Sequence, residues 1–547
     1  MSKRVYGIDL GTTYSCIAYV DEHGKPVVVS NSENQQTTPS VVYFESPDNV
    51  VVGTNAKENA RVYPDLVVSA IKRSMGSPDF KRDFHGKPYT PAEISSYILL
   101  RLVKDAATLT GDEIKDVVIT CPAYFGVVEK MATKQAGIIA GLNPLYIIPE
   151  PTAAAVAYGI EDTQTQTILV YDLGGGTFDI TLISVSPGEI TVVATGGDHM
   201  LGGKEWDERL VNFLVTSFEK QTGTVAQELL DDDETYQELL YEAENVKIRL
   251  SQSKSLVQKV RYRAGEAKVD VTRETFDELT RDLLERTVSM TREMLDTGER
   301  LGVHHVDKLL LVGGSTYMPQ VIERVKREFP FEVIQFDPNM AVAKGAALFG
   351  YQCELINKIK ERIGDPSKAS AAKVQEAEKQ IAAEAGLTLA GLKNLTGKKI
   401  SNVSSKSFGL VVEDLKLNRK RVENLVIKNS KVPNEVTKPF ATVCDGQIKV
   451  NMEVMQNLQE NDMAELSECV PETPIGTAVL TFERALPKDS PIEVTFTLAA
   501  DGCLSLYGRD LTTGRDVSAE FKTETVLSQE ELVEATSRAL ATRVSAG

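Results

Sequence analysis

Cysteine is sparse, long apolar runs are missing, and positive charge is in short supply. The six cysteines (Cys16, Cys121, Cys353, Cys444, Cys469 and Cys503) are scattered over 547 residues with no Cys-x-x-Cys spacing. That scatter reads as reduced thiols in a reducing compartment and gives no cysteine-based metal site. No apolar stretch reaches membrane-spanning length and no apolar signal region precedes Val5, so the expectation is a cytoplasmic protein with no membrane partner. Lys and Arg number 60 against 78 Asp and Glu, a net charge of −18. Such a balance argues against non-specific binding to nucleic acid or to an anionic membrane surface. What is present is ordinary for a globular protein: 42% hydrophobic and 25% charged residues. The length suits about three domains.

The stretch that organises the chain is Val170-Tyr171-Asp172-Leu173-Gly174-Gly175-Gly176-Thr177-Phe178-Asp179. An apolar run, Thr167 to Val170, reads as a buried strand, and a second strand resumes from Ile180 to Val185. Glycines between them let the backbone turn its N–H groups toward an anion with no Cβ in the way. Asp172 and Asp179 flank the turn and suit a hydrated magnesium ion. Alone, this equally fits a glycine hairpin that binds nothing. A second copy weighs against that: Val5-Tyr6-Gly7-Ile8-Asp9-Leu10-Gly11-Thr12-Thr13 again ends an apolar strand in Asp-Leu-Gly followed by threonine. Two such turns predict two related lobes closing on one nucleotide, one grip from each.

Other stretches leave two readings open. Lys72, after an apolar stretch, is either a surface lysine or a side chain reaching a phosphate. Residues 116–121 form a strand ended by Pro122, and a helix follows over 129–142. Glu150, beside Pro151 at a helix start, is either a helix-terminus charge or a carboxylate facing a metal and an attacking water. Gly196 to Gly203 is another glycine-rich turn, ahead of a helix carrying Trp206. Glu244, Lys247 and Ser251 share one helical face, solvent-facing or ligand-facing. Leu309 to Val312 is a buried strand ending in Gly313-Gly314-Ser315. Residues 351–398 read as helices or a helical linker rather than core. From Ser404 the pattern alternates, with turns at Asp445-Gly446 and Asp501-Gly502, as in a β-sandwich of about eight short strands. Ser528 and Glu531 cap a short C-terminal helix.

Taken in order and spacing, Gly7-Ile8-Asp9-Leu10-Gly11-Thr12-Thr13, Cys121-Pro122-Ala123-Tyr124-Phe125, Glu150-Pro151-Thr152-Ala153-Ala154-Ala155, Asp172 to Asp179 and Gly313-Gly314-Ser315-Thr316 resemble the seventy-kilodalton heat-shock chaperones of DnaK type. The resemblance implies an α/β actin-like ATPase of two lobes (1–185 and 186–350), a helical insert and linker (351–403), a β-sandwich peptide-binding domain (404–525) and a truncated helical lid (526–547). It implies ATP or ADP with Mg²⁺, and K⁺ as a candidate ion. Gly11, Thr12 and Thr13 match the first phosphate loop; Gly174, Gly175, Gly176 and Thr177 match the second. Asp9, Asp172 and Asp179 match carboxylates around hydrated magnesium. Lys72 and Glu150 match residues that orient the attacking water. Gly202, Gly203, Glu244, Lys247, Ser251, Gly313, Gly314 and Ser315 match nucleotide contacts. Phe440, Val443, Val450 and Met452 align with the peptide pocket, though alternation alone would also make them sandwich core.

Departures from the family pattern add expectations. A polar, basic linker (Lys398 to Lys406) stands where the family has a leucine run, and should not dock in an apolar groove; ATP control of the peptide clamp is then in question. Tyr146 and Pro149 replace an arginine and an asparagine, which argues against a J-domain co-chaperone response. Tyr317 replaces an arginine near adenine, Asn339-Met340 an acidic pair, and Lys130 an arginine. No long lid follows the last helix. The resemblance thus points to a lidless, slowly hydrolysing ATPase that engages extended apolar polypeptide, with a nucleotide-exchange factor as a candidate partner. The alternatives are a nucleotide-stabilised scaffold binding one dedicated partner, and a small-molecule kinase on the same superfold.

Overall fold

The computed structural model describes every residue except 1–3, 78, 160–163, 365–368, 415–416, 500–503, 519 and 523–525. The Asp501-Gly502 turn and Cys503 lie outside the described residues. Two sheets repeat one arrangement. In the first, strand Tyr6–Asp9 lies between the antiparallel Tyr14–Val20 and the parallel Asp116–Cys121. In the second, Gln166–Leu173 lies between the antiparallel Phe178–Val185 and the parallel Lys308–Val312. Each sheet therefore carries one glycine-turn hairpin beside one parallel strand. Ile168, Leu169, Val170 and Leu309 to Val312 are wholly buried, as expected for strands covered on both faces.

This topology corrects the lobe boundary. The hairpin 166–185 belongs to the second sheet, so the first lobe's sheet is complete before residue 166. An expected boundary at 185 followed the spacing of the motifs; hydrogen bonding assigns the hairpin to its neighbours Lys308–Val312 and Glu189–Asp198. Two helices meet between the lobes. Glu150–Gly159 lies against the second sheet, and Ala341–Ile363 lies against the first. They approach through small residues, since a Cβ on Gly345 would collide with the Ala153 carbonyl; the second helix meets the first sheet as closely, since a Cβ on Gly7 would collide with the Ala346–Ala347 backbone.

The insert is core, contrary to expectation. Helices Ala371–Glu384 and Leu389–Thr396 bury Ile381, Ala382, Leu392 and Leu395 in one cluster with Val5 and Val20 of the first lobe and Ile190 and Val192 of the second. Their apolar residues recur at helical spacing, and such a stripe gains stability only against a partner surface.

The polar linker also docks. Lys399–Val403 adds to Glu189–Asp198 as a parallel strand, with Glu189 opposite Lys399 and Thr191 opposite Ser401. Main-chain pairing needs no leucine, and the polar side chains find partners. Ser401 donates to Glu189 at 2.8 Å, Thr152 to Asn402 at 2.8 Å, and Ser405 to the Phe125 carbonyl at 2.9 Å. Lys406 pairs with Glu129 at 2.8 Å. The linker thus docks on a sheet edge by its main chain rather than in an apolar groove, and the linker side chains named here are hydrogen-bonded or ion-paired.

A six-stranded and a four-stranded sheet face each other from residue 407 onward, around Phe408, Leu410, Val454, Leu480, Phe496 and Leu506. The last helix, Gln529–Ala541, has the expected capping box at Ser528 and Glu531. It is no lid over the sandwich. Leu532, Ala535, Ala539 and Val544 are buried in the first lobe's core, and Arg538 pairs with Glu93. Strand Arg543–Ser545 then pairs in parallel with Asn49–Val52. Among the described residues no helix is long and apolar enough to cross a membrane.

Candidate active site

The paired turns bring four carboxylates to one place. Asp9 ends its strand and accepts a 3.1 Å bond from Thr120. Asp172 and Asp179 stand directly opposite each other in their hairpin. Glu150 opens its helix. Lys72 reaches the same place from a short turn, Ile71–Ser74, preceded by Ala70 in a left-handed conformation (φ 55°). The Lys72 ammonium is ion-paired with Glu150, and both side chains are buried.

Four carboxylates around one ammonium leave an excess of negative charge in a dry space. Burial, then the charge of Glu150, pushes Asp9 up to about 7, although Lys72 pulls it down. Burial with Glu150 and Asp9 raises Asp172, and burial with Glu150 and Asp172 raises Asp179. Neither Asp179 oxygen has a hydrogen-bond partner; the Ala123 N–H steadies its charge from outside hydrogen-bond geometry. The hydroxyl of Thr13 is also buried without a partner. Unpaired buried carboxylates are costly unless a cation satisfies them. An all-oxygen set with unused lone pairs fits a hard divalent ion such as Mg²⁺. Among the described residues no three His, Cys, Asp or Glu side chains converge closely enough to hold a bare ion, so these carboxylates would hold one through its water shell.

The glycine turns are fixed from behind. The Gly174 carbonyl accepts from Gly203 N–H at 3.0 Å and Ser315 Oγ at 2.8 Å, the Gly175 carbonyl from Lys204 N–H at 2.9 Å, and the Gly176 carbonyl from Arg73 Nε at 2.8 Å. In a trans peptide the next N–H points opposite to the carbonyl. The N–H groups of Gly175, Gly176 and Thr177 are therefore aimed the other way, as an anion-binding turn requires. The first turn is braced by Ser40, which donates to the Gly11 carbonyl at 2.8 Å. The two turns touch: a Cβ on Gly175 would collide with Thr13, and one on Gly176 with Thr12. Gly202 presses on the Gly176 backbone in the same way.

Helix Asp233–Gln252 closes one side, and its charged face is not a solvent face. Lys247 donates to Asp207 at 2.7 Å and to the Gly203 carbonyl at 2.9 Å. Glu244 is ion-paired with Lys57 and accepts from Tyr14 at 3.1 Å. Although burial pushes Glu244 up, Lys57 and Lys247 bring it below the usual carboxylate range. Ser251 donates to the Lys247 carbonyl at 3.3 Å. Gly313, at φ 83°, lies against the Leu173 carbonyl and Asp172, with Gly314 and Ser315 next to it. Tyr317 is exposed.

Sequence reasoning missed Lys57, Arg73, Thr120 and Asp207. Arg73 neighbours Lys72 and also pairs with Glu205 at 2.9 Å, so position next to a singled-out lysine was an available signal. Lys57 carried none, since only the fold brings it to Glu244.

Three of the four peptide-pocket candidates share one cluster, and the fourth is exposed. Phe440 lies on Asn434–Ala441, while Val450 and Met452 lie on Gln447–Asn457 in the other sheet. Met452 is buried in the sandwich core, with Phe440 and Val450 half-buried against it. Val443 is 68% exposed in the connecting turn.

A family model described as Hsp70 protein matches residues 5–362. The chain is also similar to a protein named Chaperone protein DnaK from Thermotoga neapolitana, 36% identical over 538 residues covering 96% of this chain and 82% of that one. A protein of the same name from Thermotoga petrophila matches with the same identity and coverage.

Proposed function

Because the chain belongs to the Hsp70 family, we propose that it binds ATP with Mg²⁺ between its two lobes, hydrolyses it slowly to ADP and phosphate, and engages extended polypeptide through its sandwich. The observation that carries this is the unpartnered Asp179 carboxylate, buried beside Asp9, Asp172 and Glu150 with one ammonium among them. When bound, the ion would neutralise phosphate charge and polarise the transferring group. Asp9, Asp172 and Asp179 would hold it through water. The amides of the two glycine turns bind phosphate oxygens. The Lys72–Glu150 pair orients the attacking water, Lys72 by charge and Glu150 by accepting a hydrogen bond from it. Gly202, Gly203, Glu244, Lys247, Ser251, Gly313, Gly314 and Ser315 hold the nucleoside. Thr177 completes the second turn, where its carbonyl accepts from Gly174 at 3.0 Å. Positioning and charge neutralisation are most of what phosphoryl transfer asks of a protein. The site is placed in the cytoplasm on this reading.

Calorimetric titration of ATP with magnesium tests the first step; no heat of binding overturns it. A second reading is favoured by one observation: linker and last helix both fasten the sandwich side of the chain to the first lobe. That suits a nucleotide-stabilised scaffold without ATP-driven peptide cycling. The release rate of a fluorescent apolar peptide discriminates: acceleration by ATP supports the chaperone cycle, and an unchanged rate supports the scaffold.

A further inference from the structure

The segment 371–403 lies across both lobes. Its two helices bind the first lobe: Leu387 covers Gly24 in the turn after Tyr14–Val20, and Gly386 presses on the Glu22 carbonyl. Its strand binds the second lobe through Glu189–Asp198. Between them Lys398, buried, donates to the Gly159 carbonyl at 2.5 Å at the end of one inter-lobe helix. The Lys398 carbonyl accepts from Gln352 of the other inter-lobe helix at 2.5 Å. One short stretch is thus bonded to both helices on which the lobes meet and to a surface of each lobe. Rotating one lobe against the other would break these bonds or tear Leu392 and Leu395 from the shared core. The helices Ala371–Glu384 and Leu389–Thr396 are also tied down laterally, by Arg362 to Glu384 at 2.5 Å and Lys393 to Glu378 at 3.2 Å.

We propose that residues 371–403 form a brace across the inter-lobe hinge that holds the cleft closed and slows nucleotide release, and that release requires Lys399–Val403 to leave the second sheet. This rests on the nucleotide reading above.

The test uses the full chain with Leu392→Ala/Leu395→Ala, which weakens the hairpin, and separately Lys398→Met, which cuts the tether while keeping the stem. Release of fluorescent ADP is followed by chase with excess ATP, and amide exchange is measured without nucleotide. Both variants should release ADP about tenfold faster, within the coupling range of linked sites. Exchange should quicken over Glu150–Gly159 and Ala341–Ile363. A variant whose hairpin amides exchange freely while release and hinge protection match the parent overturns the brace. If the parent binds no labelled ADP, the nucleotide reading fails, and nucleotide-free exchange alone decides: faster at the hinge keeps the brace, unchanged sinks it.

Discussion

At the cleft, Asp9, Glu150, Asp172 and Asp179 come from separate strands and a helix and converge in one place; on the sandwich, Phe440, Val450 and Met452 come from two strands and pack into one apolar cluster, while Val443 in the turn joining them is exposed. Folding explains the second set without a ligand, because alternating apolar residues on paired strands fill a core. It does not explain the first. Gathering four carboxylates around one ammonium, with Asp179 unpartnered, weakens the fold unless something binds there. Convergence of like charge is therefore a stronger sign of a site than convergence of apolar side chains.

Changes at each region can break that contrast. Lys72→Ala should lower single-turnover ATP hydrolysis by about 10²–10³-fold, the usual loss when one charge-stabilising donor is removed from a closed site. Retained hydrolysis would make Lys72 a structural partner of Glu150 only. Met452→Ala should cost about 2–4 kcal/mol in the urea unfolding of the sandwich, as for a buried Met in a packed core. A negligible loss would return Met452 to a ligand-facing role. Carboxylates must ionise to hold a metal, and burial raises Asp9 to about 7 and also raises Asp172 and Asp179. Without nucleotide, Mg²⁺ binding should therefore strengthen severalfold from about pH 6 to about pH 8 and release protons. Calorimetry in buffers of different ionisation heat reads both; a flat profile would mean the cluster is already ionised. Val443→Ser should change stability by less than about 0.5 kcal/mol, since the side chain is exposed, yet weaken capture of an apolar peptide in a fluorescence polarisation titration.

Much of the cleft was legible because its chemistry restricts residue type. A turn that presents amides to phosphate needs glycine where Thr12, Thr13 and the Gly176 backbone press close, and the Asp-Leu-Gly repeat shows this in sequence. The supports were not legible. Lys57 meets Glu244, Gln135 meets Leu527, and Thr152 meets Asn402 only through tertiary contact. The linker's seat was not legible for a related reason. Polarity predicts whether a segment can enter an apolar groove, but not whether a sheet edge is waiting for its main chain, and Glu189–Asp198 provided one. The lobe boundary was misplaced because hairpin 166–185 is near the first lobe in sequence and in the second by pairing.

The strand Arg543–Ser545 is hydrogen-bonded to Asn49–Val52, so the edge of a sheet begun near the start of the chain is finished by residues made near its end. During synthesis that edge, and the faces later covered by Leu532, Ala535 and Ala539, stay open until residues 529–545 have also left the ribosome. Closing so long a loop is entropically unfavourable and slow. Until that segment emerges, nascent chains are exposed to the edge-to-edge association that open strands invite, and the first lobe completes its packing only once Arg543–Ser545 can pair.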